Sequence, residues 1–248
     1  MNILVFASKY VGLKSIEYLI SEYDSDKYTI VITENDDINI KQFLKSKGIN
    51  YLNFDGFYNS LNKDLKFDWL LNLWGGHIFT KDILNKIENT LNIHPSLLPF
   101  AKGKDPIVWT IQNGYSAGVT LHQITKEIDS GNIYYQEKLD YHHPITGYEL
   151  YEKILKLSID VFKKEWPIIR SNPTVTQQND KSYKVYSRKD LLENQTKKFD
   201  DKSINKAILW LLSHDFSKNK EIGKDSYTAQ IKINDKIYNA TLKLEEKN

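Results

Sequence analysis

The sequence contains no cysteine among its 248 residues. That absence excludes disulfides, thiolate nucleophiles, cysteinyl zinc sites and iron–sulfur clusters together, leaving nitrogen and oxygen groups to carry any chemistry. It also fits a reducing compartment. An excess of one charge is lacking too: 34 Lys and Arg stand against 32 Asp and Glu, a formal net charge of +2. No overall field draws in a polyanion. No segment approaches the ~20 apolar residues of a membrane span. The best candidate, Trp69 to Thr80, carries no formal charge but holds two glycines, and it reads as a buried strand and a turn. The N-terminal MNILVFASKY has no basic leader and too short an apolar stretch for a signal-peptide core. These absences predict a soluble, cytoplasmic protein with neither nucleic acid nor membrane as partner.

Several motifs are missing as well. The first strand-to-helix turn, FASKYVGLKS, lacks the G-x-G-x-x-G that lets a backbone approach a dinucleotide pyrophosphate. Gly12-Leu13-Lys14-Ser15 has the wrong spacing for a phosphate loop, and there is no G-x-S-x-G nucleophile elbow. His142 and His143 precede Pro144, but adjacent side chains diverge in an extended chain, so the pair reads as a solvated loop and not a metal site.

What is present is an alternation of strands and helices. Asn2 to Ala7 reads as a strand, VGLKSIEYLISEY as a helix, Tyr28 to Thr33 as a strand, and Ile38 to Lys47 as a helix that stops at Gly48. A short strand near Tyr51 to Phe54, a strand at Trp69 to Trp74, a helix at Lys81 to Ile87 and an apolar run ending near Ile93 follow. AGVTLHQI and Asn132 to Lys138 read as later strands, and a helix runs from Thr146 to about Trp166, limited by Pro167. The pattern predicts an α/β fold, a Rossmann-like and mostly parallel sheet flanked by helices, with ligands at the carboxyl ends of the strands. SNPTVTQQNDKS, residues 171 to 182, is polar and reads as a linker or long surface loop. Beyond it, a helix near Ile204 to His214 and two alternating segments, YTAQIKI and KIYNATLKL, predict a helix and a β-hairpin turning at Asn234 and Asp235. Residues 1–180 would form the main domain and 181–248 a small C-terminal region, too small to bury much alone.

Two loops hold the candidate chemistry: Asn92 and His94 in LNIHPSLLPF, and Asp129 in TKEIDSGNIYY. An imidazole beside a carboxylate acts as a base near neutral pH, and a carboxamide can donate to an oxyanion, a set that suits acyl transfer to an amine. Spacing alone favours a structural role, because such residues also satisfy loop backbone groups.

The run from Asn92 to Gln136, NIHPSLLPFAKGKDPIVWTIQNGYSAGVTLHQITKEIDSGNIYYQ, resembles the formyltransferases that use N10-formyltetrahydrofolate, the group that includes methionyl-tRNA formyltransferase and the nucleotide-sugar N-formyltransferases. Asn92, His94, Pro95 to Pro99, the Gly118-Val119-Thr120 strand and Asp129 within I-D-S-G carry the resemblance. Weaker similarity runs from Met1 to about residue 165, where Leu73 to Leu84 looks like the family's glycine-containing loop and following helix beside the folate. Glu127 stands where the family usually has glycine, and Ser130 where it has threonine.

The resemblance implies that Asn92, His94 and Asp129 are catalytic, with Asn92 donating to the oxyanion, His94 acting as acid and base, and Asp129 orienting the imidazole. It implies folate contacts at Gly76, His77, Ile78, Phe79, Glu127 and Ile128, with N10-formyltetrahydrofolate as donor and no metal. Substrate contacts are expected at Ser8, Lys9, Lys104, Asp105 and Trp109, although solvated lysines and a core tryptophan beside Ile107 and Ile111 fit the sequence as well. His122 reads as structural. PFAKGKDPIVWTIQNG and YSRKDLLENQ are more like the sugar enzymes than the tRNA enzymes, which implies a nucleotide-linked, dTDP-type amino sugar as substrate and a homodimer paired through the C-terminal hairpin.

Overall fold

The computed structural model describes residues 1–34, 37–60, 65–142, 144–178, 183–192, 196–200, 204–216, 228–233 and 235–241. A seven-stranded sheet organises the chain. Its strands are β1 (Asn2–Ala7), β2 (Lys27–Ile32), β3 (Leu52–Asn53), β4 (Phe67–Leu73), β5 (Ile87–His94), β7 (Ala117–His122) and β8 (Ile133–Leu139), in the order β3-β2-β1-β4-β5-β7-β8. The short β6 (Lys102–Gly103) lies outside it. The first five strands in that order pair parallel, whereas β7 and β8 run antiparallel. The sheet is therefore mostly parallel, as expected.

Central strands read as unbroken apolar runs because both faces are covered. On one face Ile3, Val5 and Leu71 pack under α1 (Lys9–Glu22) and α6 (Gly147–Ser171). On the other, Leu4, Phe6 and Leu70 meet Phe57 of α3 (Phe54–Ser60) and Ile83 of α4 (Lys81–Leu84). The helix α2 (Ile38–Ser46) adds Ile40 and Leu44 to the first layer. Trp69 and Trp166 meet edge to face at 5.0 Å between centroids, joining β4 to α6.

Three features differ from the sequence reading. The fourth helix ends at Leu84, and Ile87 already opens β5. The long helix starts from Thr146 as expected, with a capping box between Thr146 and Glu149. It does not stop at Pro167 but continues to Ser171. Proline leaves the carbonyl four residues earlier without its helical donor, and the Tyr18 hydroxyl of α1 donates to that Lys163 carbonyl at 3.1 Å. The polar segment after the helix is not simply a linker: Thr176 pairs with Ile133, and the Gln178 amide donates to the carbonyls of Asp129 and Gly131 at 3.2 and 3.1 Å. Residues 179–182 of that segment lie outside the described residues.

The C-terminal region contains the expected helix, α8 (Ile204–Ser213), and a hairpin of β11 (Thr228–Ile233) and β12 (Lys236–Ala240). Asp235 of its turn takes a left-handed conformation, and Asn234 lies outside the described residues. A further strand, β10 (Thr196–Asp200), pairs parallel with β11 across α8. This region packs on the main domain, α8 against α5 (Pro106–Asn113). Among the described residues no helix is long and apolar enough to cross a membrane.

Candidate active site

The site grows from strand register. Asn72 of β4 lies beside Asn92 of β5, and Asn92 lies beside His122 of β7. Registered neighbours point to one face of a sheet, and the period of two puts His94 on the same face as Asn92. The loop from β7 to β8 folds back over this row and brings Asp129 to it. Asp129 Oδ2 lies 3.5 Å from His94 Nδ1, and Oδ1 lies 3.6 Å from His122 Nε2 and 3.5 Å from Asn92 Nδ2. Asn92, His94 and Asp129 thus meet in space, and His122, which the sequence reading left as structural, joins them. His122 belongs to the cluster because the antiparallel pairing of β7 sets its end against Asn92.

Each group is held. Asp129 sits at positive φ and accepts from the Gly103 amide at 2.7 Å, while Gln178 takes its carbonyl. Gly103 needs to be glycine: at φ +88 a Cβ would come 2.1 Å from the Tyr186 carbonyl oxygen. The close approach arises because β6 pairs with β9 (Val185–Tyr186), which draws the C-terminal segment into the site. Glu127, where the resemblance calls for glycine, does not take positive φ; Asp129 supplies that conformation instead.

His94 is 4% exposed. Its Nε2 lies 3.1 Å from the Ala101 carbonyl oxygen, which only accepts, so the ring proton sits on Nε2 and Nδ1 faces the carboxylate ready to take a second. Burial pushes the imidazole below the ordinary histidine value against the opposing pull of Asp129, so it is neutral at pH 7. For Asp129 burial pushes the carboxyl up, but the facing His94, His122 and the Gly103 amide outweigh it and hold the group well below the usual carboxylate range. A neutral base facing a fixed anion is the pairing that general base catalysis uses.

A cleft of about 2140 Å³ opens over these residues. Gly76, His77, Ile78, Phe79, Glu127 and Ile128 line it, with Ile78 and Ile128 presenting exposed apolar side chains. His77 packs against Phe54 at 3.9 Å between centroids and stacks on Phe6 at 5.8 Å. Burial, then Lys104, lowers its pKa. Lys9, Lys104 and Asp105 also line the cleft. Lys9 Nζ lies 3.6 Å from Glu34 and Lys104 Nζ donates to the Gly76 carbonyl at 3.4 Å, while Asp105 accepts from Arg188 at 3.4 Å.

Ser8 and Trp109 do not reach the cleft. Ser8 is fully buried, and its hydroxyl donates to the Trp74 carbonyl at 2.6 Å, holding the left-handed turn there. Trp109 stacks on Tyr186 at 4.1 Å between centroids and donates its Nε1 to the Lys104 carbonyl, so it packs the wall from behind. His142 is exposed, and His143 lies outside the described residues.

Sequence reasoning missed Asn72, His122, Gly103, Gln178 and the Tyr186-to-Leu191 wall, which includes the start of α7 (Arg188–Leu192). Asn72 carried a signal: a carboxamide inside the apolar run WLLNLW is costly to bury and so calls for a reason. Lys102 is 2% exposed and donates from Nζ to the Ser130 hydroxyl at 3.2 Å, below the same loop. Among the described residues no cluster of three or more His, Asp and Glu side chains is set to hold a metal ion.

Residues 60–164 match the formyl transferase family. The chain is 32% identical over 191 residues to the bifunctional polymyxin resistance protein ArnA of Wigglesworthia glossinidia brevipalpis, a match that covers 69% of this chain and 28% of that protein. Methionyl-tRNA formyltransferases match as well, the chain spanning between 33% and 51% of their length. Among solved structures, a 4-N formyltransferase from Francisella tularensis superposes with a TM-score of 0.77 at 20% identity, over 99% of this chain and 98% of that one. An N-formyltransferase from Helicobacter canadensis, solved in complex with folinic acid and dTDP-3-aminofucose, superposes with a TM-score of 0.71 at 23% identity, over 87% and 81%.

Proposed function

The chain carries a formyl transferase domain, and from that premise we propose that it transfers a formyl group from N10-formyltetrahydrofolate to the amine of a nucleotide-linked sugar. The observation that carries this reading is the meeting of Asn92, His94 and Asp129 at the carboxyl end of β5, inside a cleft that opens to solvent. At about 2140 Å³ the cleft exceeds the ~300–1,000 Å³ usual for one small ligand, which suits two large ones. The exposed Ile78 and Ile128 side chains supply apolar surface for the flat rings of a folate.

In this reading Asn92 donates from Nδ2 to the formyl oxygen as it gains negative charge, a contribution worth ~100-fold to 1000-fold in rate. His94 accepts the proton of the attacking amine at Nδ1. Asp129, ionised throughout, stabilises the imidazolium so formed. The new bond joins the amine to the formyl carbon, the bond to N10 breaks, and the proton returns to N10 as tetrahydrofolate leaves. No step calls for a metal.

A sugar acceptor is favoured over tRNA by three features. The charge balance lacks the basic excess on which tRNA binding leans. The cleft wall from Tyr186 to Leu191 comes from the segment that resembles the sugar enzymes, and the fold matches that of a Shewanella sugar N-formyltransferase over the whole chain. The acceptor is a dTDP-linked amino-dideoxyhexose such as dTDP-4-amino-4,6-dideoxyglucose, destined for a surface polysaccharide such as a lipopolysaccharide O-antigen. The enzyme works in the cytoplasm as a homodimer.

The test is a panel of dTDP- and UDP-linked 3-amino and 4-amino sugars, with charged methionyl-tRNA alongside, assayed for turnover of the folate donor. Turnover with an amino sugar is expected. Activity with tRNA alone would sink the choice of acceptor, turnover without any amine would make the protein a hydrolase, and none at all would leave a binding module.

A further inference from the structure

We propose that Asn72 is a positioning residue: it holds the Asn92 carboxamide with its NH2 group turned toward the reacting centre. The proposal rests on the formyl-transfer reading above. It is carried by a chain of hydrogen bonds along the row Asn72–Asn92–His122, whose polarity is set at both ends by main-chain carbonyls.

At one end His122 Nδ1 lies 2.8 Å from the Gln123 carbonyl oxygen. A carbonyl only accepts, so Nδ1 carries the ring proton and Nε2 of the neutral ring is an acceptor. That acceptor meets Asn92 Nδ2 at 2.9 Å. The Asn92 oxygen must then point the other way, and there it accepts from Asn72 Nδ2 at 2.8 Å. At the far end Asn72 Nδ2 gives its second hydrogen to the Gly75 carbonyl at 2.9 Å. Every donor and acceptor in the row runs in one sense, and reversing any amide would set like groups against each other.

The consequence falls on Asn92. One of its hydrogens goes to His122, and its nitrogen stands 3.5 Å from Asp129 Oδ1 on the cleft side. The other hydrogen points at Asp129 Oδ1 across that long contact, on the side where an oxyanion would take it during acyl transfer. Turned over, the carboxamide would present an oxygen beside an ionised carboxylate and offer an oxyanion nothing.

Asn72 is itself 6% exposed and sits in an apolar strand. Both its N–H groups are used, yet its Oδ1 finds no donor among the described residues. A buried amide kept at that cost is kept for its NH2. Gly75 completes the arrangement, since a Cβ there would come 2.5 Å from Asn72 Oδ1.

The experiment is a double-mutant cycle on kcat. Asn72→Leu, of similar volume, should lower kcat by about 10- to 100-fold with KM for donor and acceptor held within about twofold, and should have no further effect in an Asn92→Ala background. The same loss in both backgrounds, or an unchanged kcat in the single variant, would overturn the proposal. A second measurement needs neither a variant nor activity: the imidazole nitrogen shifts of His122 in the wild-type protein at pH 7.5. The Nδ1–H tautomer is expected, and an Nε2–H tautomer would reverse the row and overturn the proposal. Failure of the functional reading shows separately, as wild-type protein that turns over no amine on any carrier.

Discussion

The imidazole of His94 and the carboxylate of Asp129 face each other at 3.5 Å, one at the end of a strand and the other in a loop folded back over it. Their mutual pull has a definite pH consequence. Neutral His94 is the working base, and burial keeps its pKa below the ordinary histidine value while Asp129 raises it. The acid limb of kcat/KM should therefore lie below pH ~6.5. Asp129→Asn removes the raising influence, so the limb should move to lower pH as the rate falls. An acid limb unmoved by that change would show that some other group titrates.

Removing the reacting groups themselves separates their roles. Asn92→Ala is expected to lower kcat by ~100-fold to 1000-fold, and His94→Ala by ~100-fold to 10,000-fold. Folate-donor turnover with a saturating amino sugar measures both. Wild-type rates in His94→Ala would show that the base is elsewhere.

Gln178 comes from a stretch whose composition suggests a linker, yet it donates to the carbonyls on either side of Ser130. Gln178→Ala leaves buried carbonyls short of a donor and should cost about 1–3 kcal/mol. Urea unfolding should show a lower midpoint with an unchanged slope, and kcat should fall with it because the loop carries Asp129. Full stability in this variant would mean that water replaces the side chain.

Half-buried His214, on the wall of the cleft just past α8, sets a pH dependence of stability. Its pKa is lowered to about 4, chiefly by burial, with Nδ1 held on the Trp210 carbonyl. The unfolded chain takes up this proton near pH 6.5 and the folded one only near 4, so stability falls as pH drops through that window. At pH 5 the loss relative to neutral pH should be about 2 kcal/mol from this residue. Thermal unfolding of His214→Asn should lose less between pH 7 and pH 5 than the wild type does. Equal losses would place the titration elsewhere.

The outer strand of the hairpin leaves Ile237 59% and Tyr238 50% exposed. An apolar strand edge of this kind invites a second strand, in keeping with the proposed dimer. Light scattering at micromolar concentration should give twice the chain mass, and Ile237→Lys should reduce it to one. A monomeric wild type would contradict the pairing.

Much of this architecture was legible from periodicity. Apolar runs at β1 and β4 marked strands covered on both faces, and the helical pattern beginning at Thr146 marked where the long helix starts. Its end was not legible, because Pro167 is accommodated by a tyrosine from α1, far away in the chain. Ser8 and Trp109 were expected to meet substrate, but both side chains turn into packing.

The sequence by itself determined which residues share a face within a strand, as with Asn92 and His94, because the period of a strand is a local property of the backbone. It also supplied the ordered run from Asn92 to Gln136 that resembles a formyltransferase. Only the tertiary structure decided which strand lies beside which, and in what register. That pairing sets Asn72 and His122 on either side of Asn92 and pulls Gly103 and Gln178 onto Asp129. Register is settled by hydrogen bonds and packing between segments far apart in the chain, so no local pattern records it.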